Sequence, residues 1–416
     1  MSAATHATNA TARPALQPLQ PLPPVAAEVD AALVAIDAEL DWLLALNPLD
    51  SDALWDHFDA SGRTDVPSLR YAEPATDLDA MRRQLFALPT ERIESPLLAG
   101  VLEEKQRDLD RTIELVRLRG TDGFLGASIE LFGSVEAGLL ELANGILATV
   151  DVGDPLPGDV GVDAVVAAVE DEVAWYCERA PDFDLQVVVD ADVGSLMMVS
   201  HGTLYLDAQL RLPEARLQPL VQHEVGTHVV TRYNGLRQPL RQLAVGLAQY
   251  DPLQEGLGVL AEFLTGYLPG ERLRILAARV VAADMAIHGE HIPAIFACLH
   301  GQHDLPTDDA FDIAVRARRG GGLTKDAVYL RGLRDLLDHL RGGGAFEALF
   351  AGKFALSHLP VLEQLADSGW VAPPALLPRY ASADGFADAL AHCRTLGVEA
   401  LYHPHLPPNS LQEQAP

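Results

Sequence analysis

The sequence predicts a mainly α protein with one small β-sheet, an α+β fold. Apolar residues recur at three- and four-residue spacing through most of the chain, the period of amphipathic helices. Only two short runs, 185–192 (LQVVVDAD) and 196–207 (LMMVSHGTLYLD), are rich in β-formers. No internal repeat of fixed period is visible. The chain has 416 residues, 49% of them hydrophobic, so it can bury a sizeable core.

Residues 1–25 are rich in Ala, Thr, Pro and Gln and read as a disordered tail, because they cannot bury enough apolar surface to offset their ordering entropy. Residues 26–150 form an N-terminal helical region. Val29, Leu33, Ile36, Leu40, Leu43 and Leu44 mark a helix over 26–46, ending before Asn47-Pro48, and the same period continues over 77–117 and 124–149. The Gly/Pro/Asp-rich stretch 151–161 is a boundary, followed by a helix at about 163–179. The two β runs come next, with Gly202 marking a turn or bulge, and helical patterns then resume. Residues 151–345 form the core that carries the chemistry; residues 346–416 are a C-terminal helical region and polar tail.

Charge and cysteine content exclude several classes. There are 30 Lys+Arg against 59 Asp+Glu, a net charge of −29, which opposes nucleic-acid binding and docking on anionic lipid. Cys177, Cys298 and Cys393 are too few and scattered for a disulfide framework or a paired-Cys metal site. No basic-then-apolar leader and no membrane-length apolar stretch is visible, so a soluble, cytoplasmic protein is expected.

The chemistry concentrates in 220–235, LVQHEVGTHVVTRYNG, an HExxxH pattern formed by His223, Glu224 and His228. Two imidazoles suit one Zn²⁺ ion, with the adjacent carboxylate taking a proton from metal-bound water. Residues four apart lie about 40° around a helix and share a face; residues five apart lie about 140° apart. A one-residue π-bulge restores the common face, and Gly226 makes that distortion cheaper. Pro219 suggests that this helix begins there.

A third ligand is expected on a second helix, 250–270 (YDPLQEGLGVLAEFLTGYLPG), with Asp251 as N-cap and Pro269-Gly270 as its stop. Glu255 and Glu262 are seven residues apart, almost on one azimuth, beside a large apolar face. Carboxylates bordering a core need a metal, a cation or donors. Glu255 is assigned as the metal ligand and Glu262 as the acceptor from a ligand histidine.

HEVGTH followed by LQEGLGVLAEFLTG resembles the tubulin tyrosine carboxypeptidase-like (MATCAP) metallopeptidases, whose bacterial branch is called after its QEGLA motif. The family's GG-x-TKD-x-x-YL-x-G run is similar to 321–332, GGLTKDAVYLRG, and a Gly-Lys pair follows at Gly352-Lys353. The resemblance spans roughly residues 30–380. It implies a zinc-dependent carboxypeptidase acting on peptide or protein C-termini, with His223, His228 and Glu255 as ligands and Glu224 as catalytic carboxylate. Gly258 departs from the family's Ala, a difference expected to matter little.

A carboxypeptidase must hold a free carboxylate. Arg316, Arg318, Arg319, Lys325 and Arg331 cluster within sixteen positions, and Lys325, Arg331 and Arg319 are the candidate substrate-binding residues. Gly320–Gly322 would allow close approach of backbone to a ligand. Tyr329, four residues after Lys325, is a candidate donor to the oxyanion. The run before the motif helix offers an edge for an extended peptide, with His201 and Tyr205 as possible groove residues. The histidines at 288–303 match no metal motif. Two alternatives remain: a dipeptidyl-peptidase-III-like exopeptidase, and a non-catalytic zinc-stabilised regulatory or scaffold protein. Oligomeric state is not legible.

Overall fold

The computed structural model describes residues 18–405 except 50–51, 75, 154–155, 157, 192–195 and 320–321. Most of the expected tail, and Gly320 and Gly321, therefore lie outside the described residues. Residues 18–23 run as coil against the C-terminal region, with Gln20 N donating to Gly369 O at 2.9 Å and Leu22 buried.

The N-terminal layer comprises α1 (Pro24–Ala38), α2 (Trp42–Ala45), α3 (Asp52–Ala60), α4 (Leu78–Phe86), α5 (Pro96–Leu118), α6 (Phe124–Phe132) and α7 (Ala137–Thr149). The helix expected over 26–46 ends at Ala38 instead and restarts as α2, whose first turn is capped by the Asp41 carboxylate. Val29, Leu33 and Ile36 still line one buried stripe, so the periodicity located the buried face and missed the break. α5 is the long element of this layer. Ser95 caps it, Pro96 opens it, and Leu98, Leu102, Leu109, Ile113 and Val116 face inward.

Short strands pair β1 (Pro48–Leu49) with β2 (Arg70–Tyr71), and β3 (Val160–Gly161) with β7 (Arg211–Leu212). The sheet proper has β4 (Gln186–Asp190), β5 (Met197–Ser200) and β6 (Thr203–Asp207) in the order β4-β6-β5. β4 runs parallel to β6 and β5 antiparallel to it. The second β run is thus a hairpin, turning at His201 and Gly202, which both take positive φ (45° and 89°). β5 is left at the edge.

α8 (Val162–Cys177) precedes the sheet. After it come α9 (Glu214–Val221), a π-helical segment (Gln222–Val229), α10 (Val230–Leu236), α11 (Gln242–Val245), α12 (Asp251–Leu264) and α13 (Gly270–Ile287). The motif helix starts at Glu214, not at Pro219, which lies inside α9 just before the π segment. α12 stops at Leu264, where Gly266 takes φ 108°, rather than at Pro269-Gly270, which open α13. The chain ends with α14 (Ile292–Gly301), α15 (Thr307–Arg316), α16 (Val328–Arg341), α17 (Leu359–Asp367) and α18 (Phe386–Cys393). A contiguous buried core runs from Leu22 to Leu401. Among the described residues no single helix is long and apolar enough to cross a membrane.

The crossing of α12 with α16 positions the site. At Gly256 a Cβ would lie 2.6 Å from Gly332 C and O, and at Gly332 it would run into the Pro252 carbonyl. Only glycine at both positions lets the two backbones touch.

Candidate metal centre

The π segment does locally what the five-residue spacing requires. Its wider turn brings His223 and His228 to one side, with ring centroids 5.2 Å apart at 69°. Thr227 Oγ1 donates to Gln222 O (3.2 Å) and Thr231 Oγ1 to Thr227 O (2.8 Å), serving carbonyls at a point where the helical ladder changes register. A Cβ at Gly226 would lie 2.4 Å from Gln222 Oε1, so the glutamine side chain would have to move aside.

α12 brings Glu255 to the pair. Glu255 Oε2 lies 3.8 Å from His223 Nε2 and 3.9 Å from His228 Nε2, and one ligand atom from each of the three residues lies within 4.8 Å of the others. Tetrahedral ligands about 2.0–2.1 Å from zinc sit roughly 3.4 Å from one another, so small side-chain movements close the triangle on an ion. The backs of both rings are occupied. Glu262 Oε1 lies 2.9 Å from His223 Nδ1, and Gln254 Oε1 lies 3.3 Å from His228 Nδ1 and 2.8 Å from Thr231 Oγ1. Acceptors behind Nδ1 leave each Nε2 free to ligate. Glu262 is fully buried and also meets Arg216 (2.9 Å) and Arg272 (3.5 Å).

Electrostatics fit a cation. Burial depresses the His228 imidazole to about 3. Burial also pulls on His223, but contact with Glu255 and Glu262 outweighs it and holds that ring protonated up to about 10. Burial raises Glu255 too, yet His223 and Lys325 together keep it far below the usual carboxylate range. Without an ion the charge on Glu255 is thus balanced by the proton on His223, the place a divalent cation would take. Glu224 is buried beside them and raised by that burial to about 7.

Lys325 and Tyr329 reach the same cavity from the entry to α16. Lys325 Nζ stands 3.6 Å from Asp251 Oδ1, 3.8 Å from Glu255 Oε1 and 5.6 Å from the Tyr329 ring centre. Asp251 therefore faces Lys325 and makes no side-chain cap on α12, whose N-cap is Tyr250. The preceding Thr324 holds φ at 42°, a strained value for a β-branched residue; Ser128 Oγ donates to Leu323 O at 2.9 Å and Thr324 Oγ1 to Ser128 O at 3.0 Å, which fixes it.

Other expected residues lie elsewhere. Arg331 lines the larger cavity from the α6–α7 corner, where it pairs with Glu136 and donates to the Phe132 and Ser134 carbonyls. Arg316 forms a two-pronged pair with Asp326. Arg319 lines the metal-facing cavity but donates to Asn47 Oδ1 at 3.0 Å. Tyr205 is on the central strand and lines neither cavity; His201 lines the larger one, described below. His288 and His300 bond to nearby backbone carbonyls, and the only three-residue metal-ligand cluster among the described residues is His223, His228 and Glu255. Gly258 matters more than its place beside the ligands suggests, because a Cβ there would lie 2.5 Å from His223 Nε2.

Two cavities adjoin at the centre. One of about 190 Å³ holds His223, Glu224, His228, Glu255, Lys325 and Tyr329, with Met197–Val199 of β5 on its wall. A larger one of about 430 Å³ shares Trp42, Leu43, Val199, Tyr250, Asp251 and Lys353 with it. Arg216, Arg232, Gln254 and Arg272 escaped the reading of the sequence. Arg232 had a signal, since it falls four residues after His228 and so on the same helical side; Arg216 and Arg272 had none.

A search of curated proteins finds no match. The family model described as microtubule-associated tyrosine carboxypeptidase (MATCAP) matches residues 56–397, and the chain belongs to that family of carboxypeptidase-type peptidases.

Proposed function

We propose that the protein is a zinc-dependent carboxypeptidase that hydrolyses the terminal peptide bond of peptides or proteins. The observation that carries this is the meeting of His223, His228 and Glu255 with a buried carboxylate, Glu224, on the same π segment. Two histidines and one glutamate with an open fourth position are the donor set of catalytic zinc, whereas structural sites are closed by a fourth protein ligand. When bound, zinc supplies Lewis acidity toward water and the scissile carbonyl.

The chain's own residues do the rest. Glu224 takes a proton from the attacking water and returns it to the leaving amine; a carboxylate raised by burial is matched to both halves of that task. Glu262 and Gln254 hold the imidazoles in one tautomer and orientation. Tyr329, on the cavity wall, donates to the developing oxyanion, and Lys325 keeps Glu255 ionised. β5, at one end of the strand order and on the cavity wall, would pair with an extended substrate.

Membership of the family removes support from a dipeptidyl-peptidase-III-like reading. A zinc-stabilised scaffold would show metal-dependent stability without turnover. The test is to strip the protein with chelator, restore it with zinc, and follow a peptide library by mass spectrometry. Loss and recovery of single-residue C-terminal trimming supports the proposal. Trimming that persists without metal, or zinc that restores only thermal stability, contradicts it.

A further inference from the structure

The acidic side chains on the wall of the larger cavity each have a cation. Asp37 and Asp108 share Lys105 at 3.1 and 3.9 Å, and Glu136 has Arg331 at 2.9 Å. Asp251 has Lys325 at 3.6 Å, and Asp335 has Arg334 at 2.8 Å. Two cations on that wall are left over, Arg232 and Lys353. Among the described residues no carboxylate comes within 4.0 Å of either.

Both are held in place by the fold. Arg232 lies on α10, one turn beyond His228, with its guanidinium over Gly202; a Cβ at that turn would sit 2.5 Å from Arg232 Cζ. The Lys353 backbone is clamped on both sides, its N donating to Leu243 O at 2.8 Å and its O accepting from Leu247 N at 3.0 Å. Gly352 makes that approach possible, since a Cβ there would lie 2.7 Å from Leu243. From this anchor the Lys353 side chain lines both cavities, at the seam between the metal ligands and the larger space.

Lys353 Nζ stands 5.8 Å from the Tyr250 ring centre and feels Asp251, Glu255 and Asp37 only at longer range. Holding it and Arg232 against a partly desolvated cavity without a contacting carboxylate therefore costs free energy that a bound anion offsets. Their placement is notable in a chain of net charge −29, where most of the surface repels anions. We propose that Arg232 and Lys353 form an anion subsite for the terminal carboxylate of the peptide, with the larger cavity receiving the C-terminal residue. The identity of the anion rests on the carboxypeptidase reading. Arg232 supplies the planar two-pronged donor and Lys353 the point charge.

The test uses the full-length protein and an N-acetylated tripeptide, as the free acid and as the C-terminal amide. Calorimetric binding to metal-free protein reads the subsite without turnover. The acid is expected to bind at least ten-fold tighter than the amide. Lys353→Gln and Arg232→Gln should each weaken the acid by on the order of 10- to 100-fold and leave the amide unaffected. Lys353→Arg and Arg232→Lys, which keep the charge, should retain most of the preference, separating charge from folding. Equal binding of acid and amide by wild type, no binding of either, or a preference surviving both Gln variants overturns the proposal. If the preference is present but zinc-loaded protein trims nothing, the anion subsite stands and the peptidase reading falls.

Discussion

Glu262 Oε1 lies 2.9 Å from His223 Nδ1, although the two residues are 39 positions apart and both are buried. That contact ties α12 to the π segment and fixes which nitrogen of His223 faces Glu255. Arg216 and Arg272 complete the surroundings of the carboxylate, so Glu262 is held ionised where it would otherwise be costly.

Replacing Glu262 by Gln should therefore weaken zinc binding by about 10- to 100-fold while the protein still folds. Glu262→Ala should in addition cost about 3–5 kcal/mol of stability, because Arg216 and Arg272 lose their buried partner. Chelator competition and denaturant unfolding measure the two effects. Unchanged zinc affinity in Glu262→Gln would remove the positioning role.

Gly258→Ala places a methyl against His223, whose ring cannot retreat freely from Glu262. Zinc affinity should fall by about ten-fold with little change in unfolding. Gly332→Ala should act differently: its Cβ meets the Pro252 backbone, forcing α12 and α16 apart at a cost of about 1–3 kcal/mol or more. Equal effects of the two changes on metal affinity and stability would contradict this division.

Much of this region was legible. The five-residue spacing of the histidines implied a π distortion, and seven-residue spacing on one helix put Glu255 and Glu262 on one face. The cation assignments were less legible because a basic residue's partner is set by tertiary structure. Arg331 lies inside a motif, yet meets Glu136 from 195 positions away. The same limit hid Arg232 and left Lys353, noted as part of the Gly352-Lys353 pair, without a role, because neither sequence neighbours nor spacing show which cations go without a carboxylate. The break between α1 and α2 was invisible because Leu40, Leu43 and Leu44 continue the helical period across it.

Tyr329→Phe should lower kcat by about 100-fold with little change in KM, the signature of an interaction made in the transition state. Equal losses in binding of the unreacted peptide would place the hydroxyl in ground-state recognition instead.

Burial, helped by Arg232 and opposed by Asp251, Glu255 and Asp37, lowers the Lys353 ammonium to about 8. Only the protonated form attracts a carboxylate. KM for free-acid peptides should thus be lowest below pH 8 and rise as pH increases through that value. Bound carboxylate favours the charged form and moves the same transition upward in the complex. Steady-state KM between pH 6.5 and 9.5 measures this, and the rise should be absent in Lys353→Arg. A flat KM profile for wild type would contradict it.

The most direct measurement is zinc content together with C-terminal trimming for wild type and Glu224→Gln, on the same preparations. This mechanism requires about one zinc per chain in both and trimming by wild type alone, because Glu224 moves a proton and ligates nothing. Zinc bound by both with trimming by neither, or full activity in Glu224→Gln, would contradict it.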